Sequence, residues 1–194
     1  MRFSLLIIAF LLLSSCGMKE KKNAQNEEAL RKEFLQKGGE IVDLSQAELL
    51  ENVAGAMSTG GPVHAVDFCN MHALSISDSL SALHNCEIRR IAVKYRNPED
   101  KPRTETGLGL LKQYEKAHQN GEPIKPEVHI FDDRIEYYHP ILINNGACLL
   151  CHGLPGEQIK EQTLEMIATH YPGDLATGFK MDDFRGAWKI TFPN

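Results

Sequence analysis

The stretch Asn144–Gly153 reads NNGACLLCHG and sets two cysteines three positions apart with a histidine directly after the second. Two thiols and an imidazole crowded into so short a segment must serve one common object. A porphyrin meets the requirement: two intervening residues place the sulfurs at roughly the separation of its two vinyl groups. The next residue then projects beneath the ring. The spacing therefore predicts one covalently attached c-type haem, with Cys148 and Cys151 as thioether donors and His152 as the proximal iron ligand. Covalent attachment suits an exported protein, because haem lost outside the cell is not readily replaced.

Three other uses of the motif are possible. A thioredoxin-type C-x-x-C carries its second cysteine in the first turns of a long helix. Here Cys151 is followed by His-Gly-Leu-Pro-Gly, which breaks the backbone. Structural zinc needs four ligands, and the chain holds no second C-x-x-C and no H-x-x-x-H. A Cys148–Cys151 disulfide is sterically possible but leaves His152 without a role.

The other end of the chain speaks to compartment. MRFSLLIIAFLLLSSC holds Arg2, an apolar run from Leu5 to Leu13, two small residues and Cys16. That run suits a secretory signal and is too short for a membrane span, which takes ~20 apolar residues. Leu13-Ser14-Ser15-Cys16 resembles a bacterial lipobox, so residues 1–15 are expected to be a lipoprotein signal peptide and Cys16 a lipidated N-terminus. An ordinary cleaved signal, or an uncleaved anchor, is the alternative. Residues 16–26 read as a polar tether and residues 27–194 as one domain of a size that can bury a proper core. Loss of residues 1–15 removes only Arg2, leaving 20 basic residues against 26 acidic ones and a net charge of −6. That balance argues against nucleic acid as a partner.

Along the domain, periodicity predicts a helix over 26–36 that stops at Gly38-Gly39. A second helix follows over 45–57, with Ser45 and Glu48 as a capping box, and a third opens at Pro62. A Ser-rich helix continues to about His84. EIRRIAVKY reads as a strand ending at Arg96-Asn97-Pro98, and Thr104–His118 as a helix. EVHIF and RIEYYHPILI read as strands joined by a tight turn at Asp132-Asp133. Helix returns over Glu157–His170, and GAWKITF closes the chain as a strand. Helices first and an antiparallel meander later predict an α+β fold.

The second axial position of the iron is open on residue type alone. His64, Cys69, Met71, His72, His139, Met166 and Met181 all qualify. The order FCN, YRNP with a following Glu, YYHP-I, CLLCHG, YPGDLATGF and RGAWKITF resembles a bacterial family of single-haem c-type cytochromes with a PAS-like fold. The likeness runs from about Glu27 to Phe192. It implies an antiparallel sheet and N-terminal helices packed around the haem, with Cys69 as distal ligand opposite His152. The sequence departs from the family pattern at His139, where a longer basic residue is expected before the proline. A Cys69–Cys86 disulfide remains the competing fate of Cys69 in an oxidising compartment. Arg96, ending a strand beside Asn-Pro, is a candidate partner for a haem propionate, or else a solvated strand cap.

Two functions from different classes fit these features. One is single-electron transfer in the cell envelope, at low potential because an anionic thiolate favours ferric iron. The other is redox or diatomic-gas sensing (CO, NO or O2), in which Cys69 leaves the iron and a partner protein carries the signal. No kinase, cyclase or methyl-accepting segment is visible in the chain, which puts electron transfer first. A thioredoxin-like oxidoreductase is a remote third. The expected partners are an envelope redox or signalling protein and, through Cys16, a membrane surface.

Overall fold

The computed structural model describes the backbone of residues 4–193 and the side chains of residues 22–193. The expected signal peptide and the side chain of Cys16 lie outside the described side chains. Among the described residues no helix is long and apolar enough to cross a membrane.

The first element is the helix α1, Ser4–His84, which is interrupted once. Gly60 (φ −150, ψ 19) and Gly61 (φ 68, ψ −162) leave helical geometry, and Pro62 restarts it. Gly61 occupies a backbone region that is essentially closed to residues with a Cβ, and Pro is preorganised for the first turn of a helix. The break expected before Pro62 is therefore present. The stop expected at Gly38-Gly39 is not. A Cβ on Gly38 would stand 2.3 Å from Tyr137 Cγ, so this glycine lets the helix approach the sheet and does not end it. Ser45 likewise is no N-cap: its buried hydroxyl donates to the Ile41 carbonyl at 2.7 Å inside the helix. Asn85, with φ 51, turns the chain out of α1 in the left-handed conformation that Asn tolerates best after Gly.

Four strands follow, interleaved with helices: β1 (Glu87–Ile91), α2 (Glu105–Gln119), β2 (Glu127–Ile130), β3 (Arg134–Leu142), α3 (Leu149–His152), α4 (Glu161–His170) and β4 (Phe184–Pro193). The expected strand EIRRIAVKY is cut short at Ile91, because Ala92 N donates to Asp100 O and turns the chain toward the Pro98–Asp100 turn. Thr104 caps α2 by accepting from Gly107 N. Helix α4 begins four residues later than its sequence pattern, since Gly156 (φ 82) and its bond to Ile159 O hold the preceding residues in a turn.

The sheet order is β1-β4-β3-β2, every pairing antiparallel. Both faces are covered. Side chains alternate along a strand, so adjacent Tyr137 and Tyr138 go to opposite sides. Tyr137 joins Ile41, Val42, Ile88, Trp188, Ile190 and Phe192 under α1, while Tyr138 joins Leu110, Leu111, Tyr114 and Ala187 under α2. The fold is α+β, with helices on a four-stranded antiparallel sheet. Two smaller apolar clusters then flank α3. Cys151 packs with Val66, Ile159, Ile167 and Tyr171, which lie on α1, on α4 and beside it. Cys148 and Leu149 pack with Ile143, Ala176 and Phe179.

Candidate functional site

Between the two halves of α1, the sheet edge and α3 lies a cavity of about 550 Å³, a size usual for cofactor sites. Leu49, Val53, Met57, Ala65, Val66 and Ala73 supply an apolar wall from α1. Cys69, Cys148, Cys151 and His152 all line this one space, although Cys69 is separated in sequence from the others by nearly half of the domain. None of the other candidates for an iron ligand lines this space. His72 packs on Phe68 at 4.8 Å, Met71 and Met181 are exposed, and Met166 packs in the cluster around Tyr171. His139 lines an adjoining cavity of about 380 Å³ that Cys148 and His152 also line, and its Nδ1 is bonded to Tyr137 Oη at 3.0 Å. Cys86 is a free, buried core thiol beneath α1, so no Cys69–Cys86 disulfide is present. Cys148 and Cys151 are unpaired as well.

His152 is held by its backbone and by one ring nitrogen. Nδ1 lies 2.8 Å from Ala176 O. A carbonyl only accepts, so Nδ1 carries the proton and Nε2 is left with the lone pair. Burial, reinforced by the guanidiniums of Arg185 and Arg96, holds this imidazole well below its ordinary pKa. It is therefore neutral at neutral pH, as a nitrogen donor to a metal must be. Its own carbonyl accepts from Phe179 N at 3.0 Å, and Gly153 O accepts from Gly178 N at 2.8 Å. The loop 172–183 is thus stitched along α3.

Arg96 fastens this arrangement. It is 9% exposed, and Nε and Nη2 donate to the two carboxylate oxygens of Asp174 at 3.1 and 3.2 Å. Nη2 also donates to Cys151 O at 2.7 Å and Ala176 O at 3.3 Å. The residue lines the cavity, but it is no solvated cap: most of its hydrogen-bonding capacity is spent on protein. Asp174 closes the circuit by accepting from Ala176 N at 3.0 Å. The same cavity wall holds two arginines that sequence reasoning missed, Arg90 and Arg185, with Asp100. Burial first, then the neighbouring Arg96 charge, lowers Arg185 to about 10. Burial raises Asp100 above the usual carboxylate range. No local signal marks these residues. Arg90 reaches the wall through its pairing with Trp188, Arg185 through the start of β4.

The thiols are quiet. Burial raises Cys69, with Arg90 and Arg96 pulling it partly back. It also raises Cys148, and pushes Cys151 up to about 11. A disulfide-exchanging cysteine needs the opposite shift and the start of a longer helix, whereas α3 is a single turn. Among the described residues no three His, Cys, Asp or Glu side chains converge to hold a metal by themselves, so a structural zinc site has no ligand set here.

Residues 16–193 match the family described as Tll0287-like. Among solved structures, the cyanobacterial heme-protein Tll0287 is similar at a TM-score of 0.60 and 26% identity, over 82% of this chain and 96% of that one. No curated protein matches. A match spanning the cavity, the sheet and every element between them places the chain in the Tll0287-like family.

Proposed function

We propose that this chain is a c-type haem protein of the bacterial cell envelope that carries single electrons. Cys148 and Cys151 would bear the thioethers, and His152 and Cys69 would ligate the iron in a PAS-like enclosure of helices and sheet. The observation that carries the reading is the convergence of Cys69 with the contiguous C-x-x-C-H segment on one apolar cavity.

The residues present fit such a group. The wall from α1 is apolar and partly built of small residues, Ala65 and Ala73, which leave room for a flat ring. His152 offers a neutral nitrogen lone pair whose ring orientation is fixed by Ala176 O. Arg90 and Arg185 provide positive charge in a largely buried wall, suited to acidic substituents. When bound, haem supplies a one-electron couple. The protein's part would be to hold the His152 imidazole rigidly, present the Cys69 thiol to the same cavity, and keep water from the apolar wall.

Covalent attachment is tested by acidic organic extraction of protein made in a maturation-competent host. Pigment should stay with the polypeptide and be lost from it in the Cys148→Ala/Cys151→Ala variant. A colourless product, or one that sheds its pigment in the extraction, sinks the proposal. Absorption and EPR spectra of the ferric protein test the distal side: a low-spin thiolate signature should vanish in Cys69→Ala and persist in Cys86→Ala.

A sensing role is the second reading, favoured by the glycine break that separates the Cys69 segment from the first half of α1. Exposure of the reduced protein to CO discriminates: inertness supports a carrier, rapid binding supports a sensor. Anchoring through Cys16 belongs to the same proposal and rests on the lipobox-like sequence. Incorporation of labelled fatty acid, abolished by Cys16→Ala, is the expected result. The functional partner would be an envelope redox or signalling protein.

A further inference from the structure

We infer that His170 is a positioning residue for Cys69, acting through a two-armed clasp on the helical turn that carries the thiol. This rests on the reading of Cys69 as an iron ligand. His170 is the last residue of α4. Its Nε2 lies 2.9 Å from Asp67 Oδ1, and its Nδ1 lies 3.2 Å from Asn70 Nδ2. An amide nitrogen only donates, so Nδ1 accepts, the ring proton sits on Nε2, and Nε2 donates to Asp67. One neutral tautomer satisfies both arms at once.

Asp67 and Asn70 stand at i and i+3, neighbours on one flank of the helix. Cys69 projects from the same turn in a different direction, toward the cavity. Gripping the turn at two points on one flank fixes rotation about the helix axis, and with it the direction in which Cys69 points. Apolar contact also joins this turn to α4 and its flanks: Val66 packs with Ile167 on α4 and with Ile159 and Tyr171 on either side of it. Apolar packing sets the distance between the helices and constrains rotation weakly, because it is not directional, whereas a hydrogen bond weakens steeply off axis. Rotation needs such a restraint here. The break at Gly60–Gly61 separates this segment from the first half of α1, and its ties to β1, Asp78 to Arg89 at 2.7 Å and Ser81 Oγ accepting from Ile88 N at 2.8 Å, lie about two to three turns beyond Cys69. Tyr171, next in sequence to His170, lines the cavity with Cys69, so the clasp stands at its margin without entering it.

The test uses the haem-loaded protein and its ferric absorption and EPR spectra. Loss of both arms in His170→Ala should lower the ratio of thiolate-ligated to detached protein roughly fivefold, about the effect of one ordinary hydrogen bond. His170→Gln, whose amide can donate to Asp67 and accept from Asn70, should restore most of the signal. A wild-type spectrum in His170→Ala, with Cys69→Ala clearly altered, overturns the clasp while leaving the ligand reading intact. Equal loss in His170→Gln and His170→Ala also overturns it, because ring packing would then be the cause. An unaltered Cys69→Ala spectrum removes the ligand reading itself. Should His170→Ala fail to fold, Asn70→Ala removes a single arm; a partial loss supports the clasp and an unchanged spectrum overturns it.

Discussion

The two sides of the cavity are built differently. On the His152 side, α3 is bracketed by two apolar clusters and by Arg96, whose guanidinium ties Asp174, Cys151 O and Ala176 O together with little exposure. On the Cys69 side, the thiol rides on a helix that restarts after two non-helical glycines and is clasped to α4 by partly exposed polar groups. Directional bonds in a buried setting resist displacement far better than surface pairs, which are worth ~0–1 kcal/mol. The contrast teaches that His152 is fixed by the fold while Cys69, its partner in the proposed site, has room to yield. A carrier needs both to stay. A sensor needs the second to leave.

The hardest test of the rigid side is Arg96→Met. Removing one member of a buried ion pair leaves Asp174 uncompensated and should cost about 3–5 kcal/mol in urea unfolding. A loss below about 1 kcal/mol, the range of surface pairs, would mean that the two sides do not differ as described. Next in size is Gly61→Ala. At φ 68, ψ −162 a Cβ is strained, and about 1–3 kcal/mol should be lost on thermal unfolding. The Cys69-dependent part of the ferric spectrum should shift with it, while covalent attachment at Cys148 and Cys151 survives. Unchanged stability would show that the break is not held by this glycine.

Smaller still is the contrast between the two free thiols of α1 and its exit. Cys86→Ala trims a buried core side chain and should cost about 1 kcal/mol with no spectral change. Cys69→Ala should do the reverse, with little effect on the stability of haem-free protein and a large spectral effect. A spectral response to Cys86→Ala would undo the assignment of the yielding side.

The last prediction separates scaffold from site. Glu136 is almost fully buried; burial alone would raise its pKa, but bonds from Lys189, Tyr138 and Arg134 hold the net value below the ordinary range. A carboxyl with a depressed folded pKa stabilises fully above its unfolded value, and that contribution is lost as pH falls through the folded one. Acid should therefore weaken the sheet below the usual carboxylate range, and Glu136→Gln should flatten that part of the stability–pH curve. An unchanged curve would locate the acid response elsewhere.

Local chemistry was the legible part. The C-x-x-C-H segment is contiguous, so its three donors belong together in any fold. Periodicity gave most element types, and the Gly60-Gly61-Pro62 break was readable because backbone conformation there depends on those residues alone. The errors share one cause. Gly38 reads as a helix stop until Tyr137, a hundred residues on, is seen to occupy the space of its missing Cβ. Ser45 reads as a cap until its hydroxyl is found bonded back to Ile41. Arg96 was chosen for its charge, while its partner Asp174 and the wall residues Arg90 and Arg185 depend on strand register and a distant loop.

By itself the chain's order of residues determined an α+β domain, one contiguous C-x-x-C-H segment and the helix restart at Pro62, because each follows from neighbours along the backbone. Only tertiary structure decided that Cys69 shares a cavity with His152, that Cys86 does not, and that Arg96 is tied to Asp174. Those outcomes depend on how the second half of α1 and the loop before β4 close around α3. Packing between segments far apart in the chain fixes that closure, and no local signal encodes it.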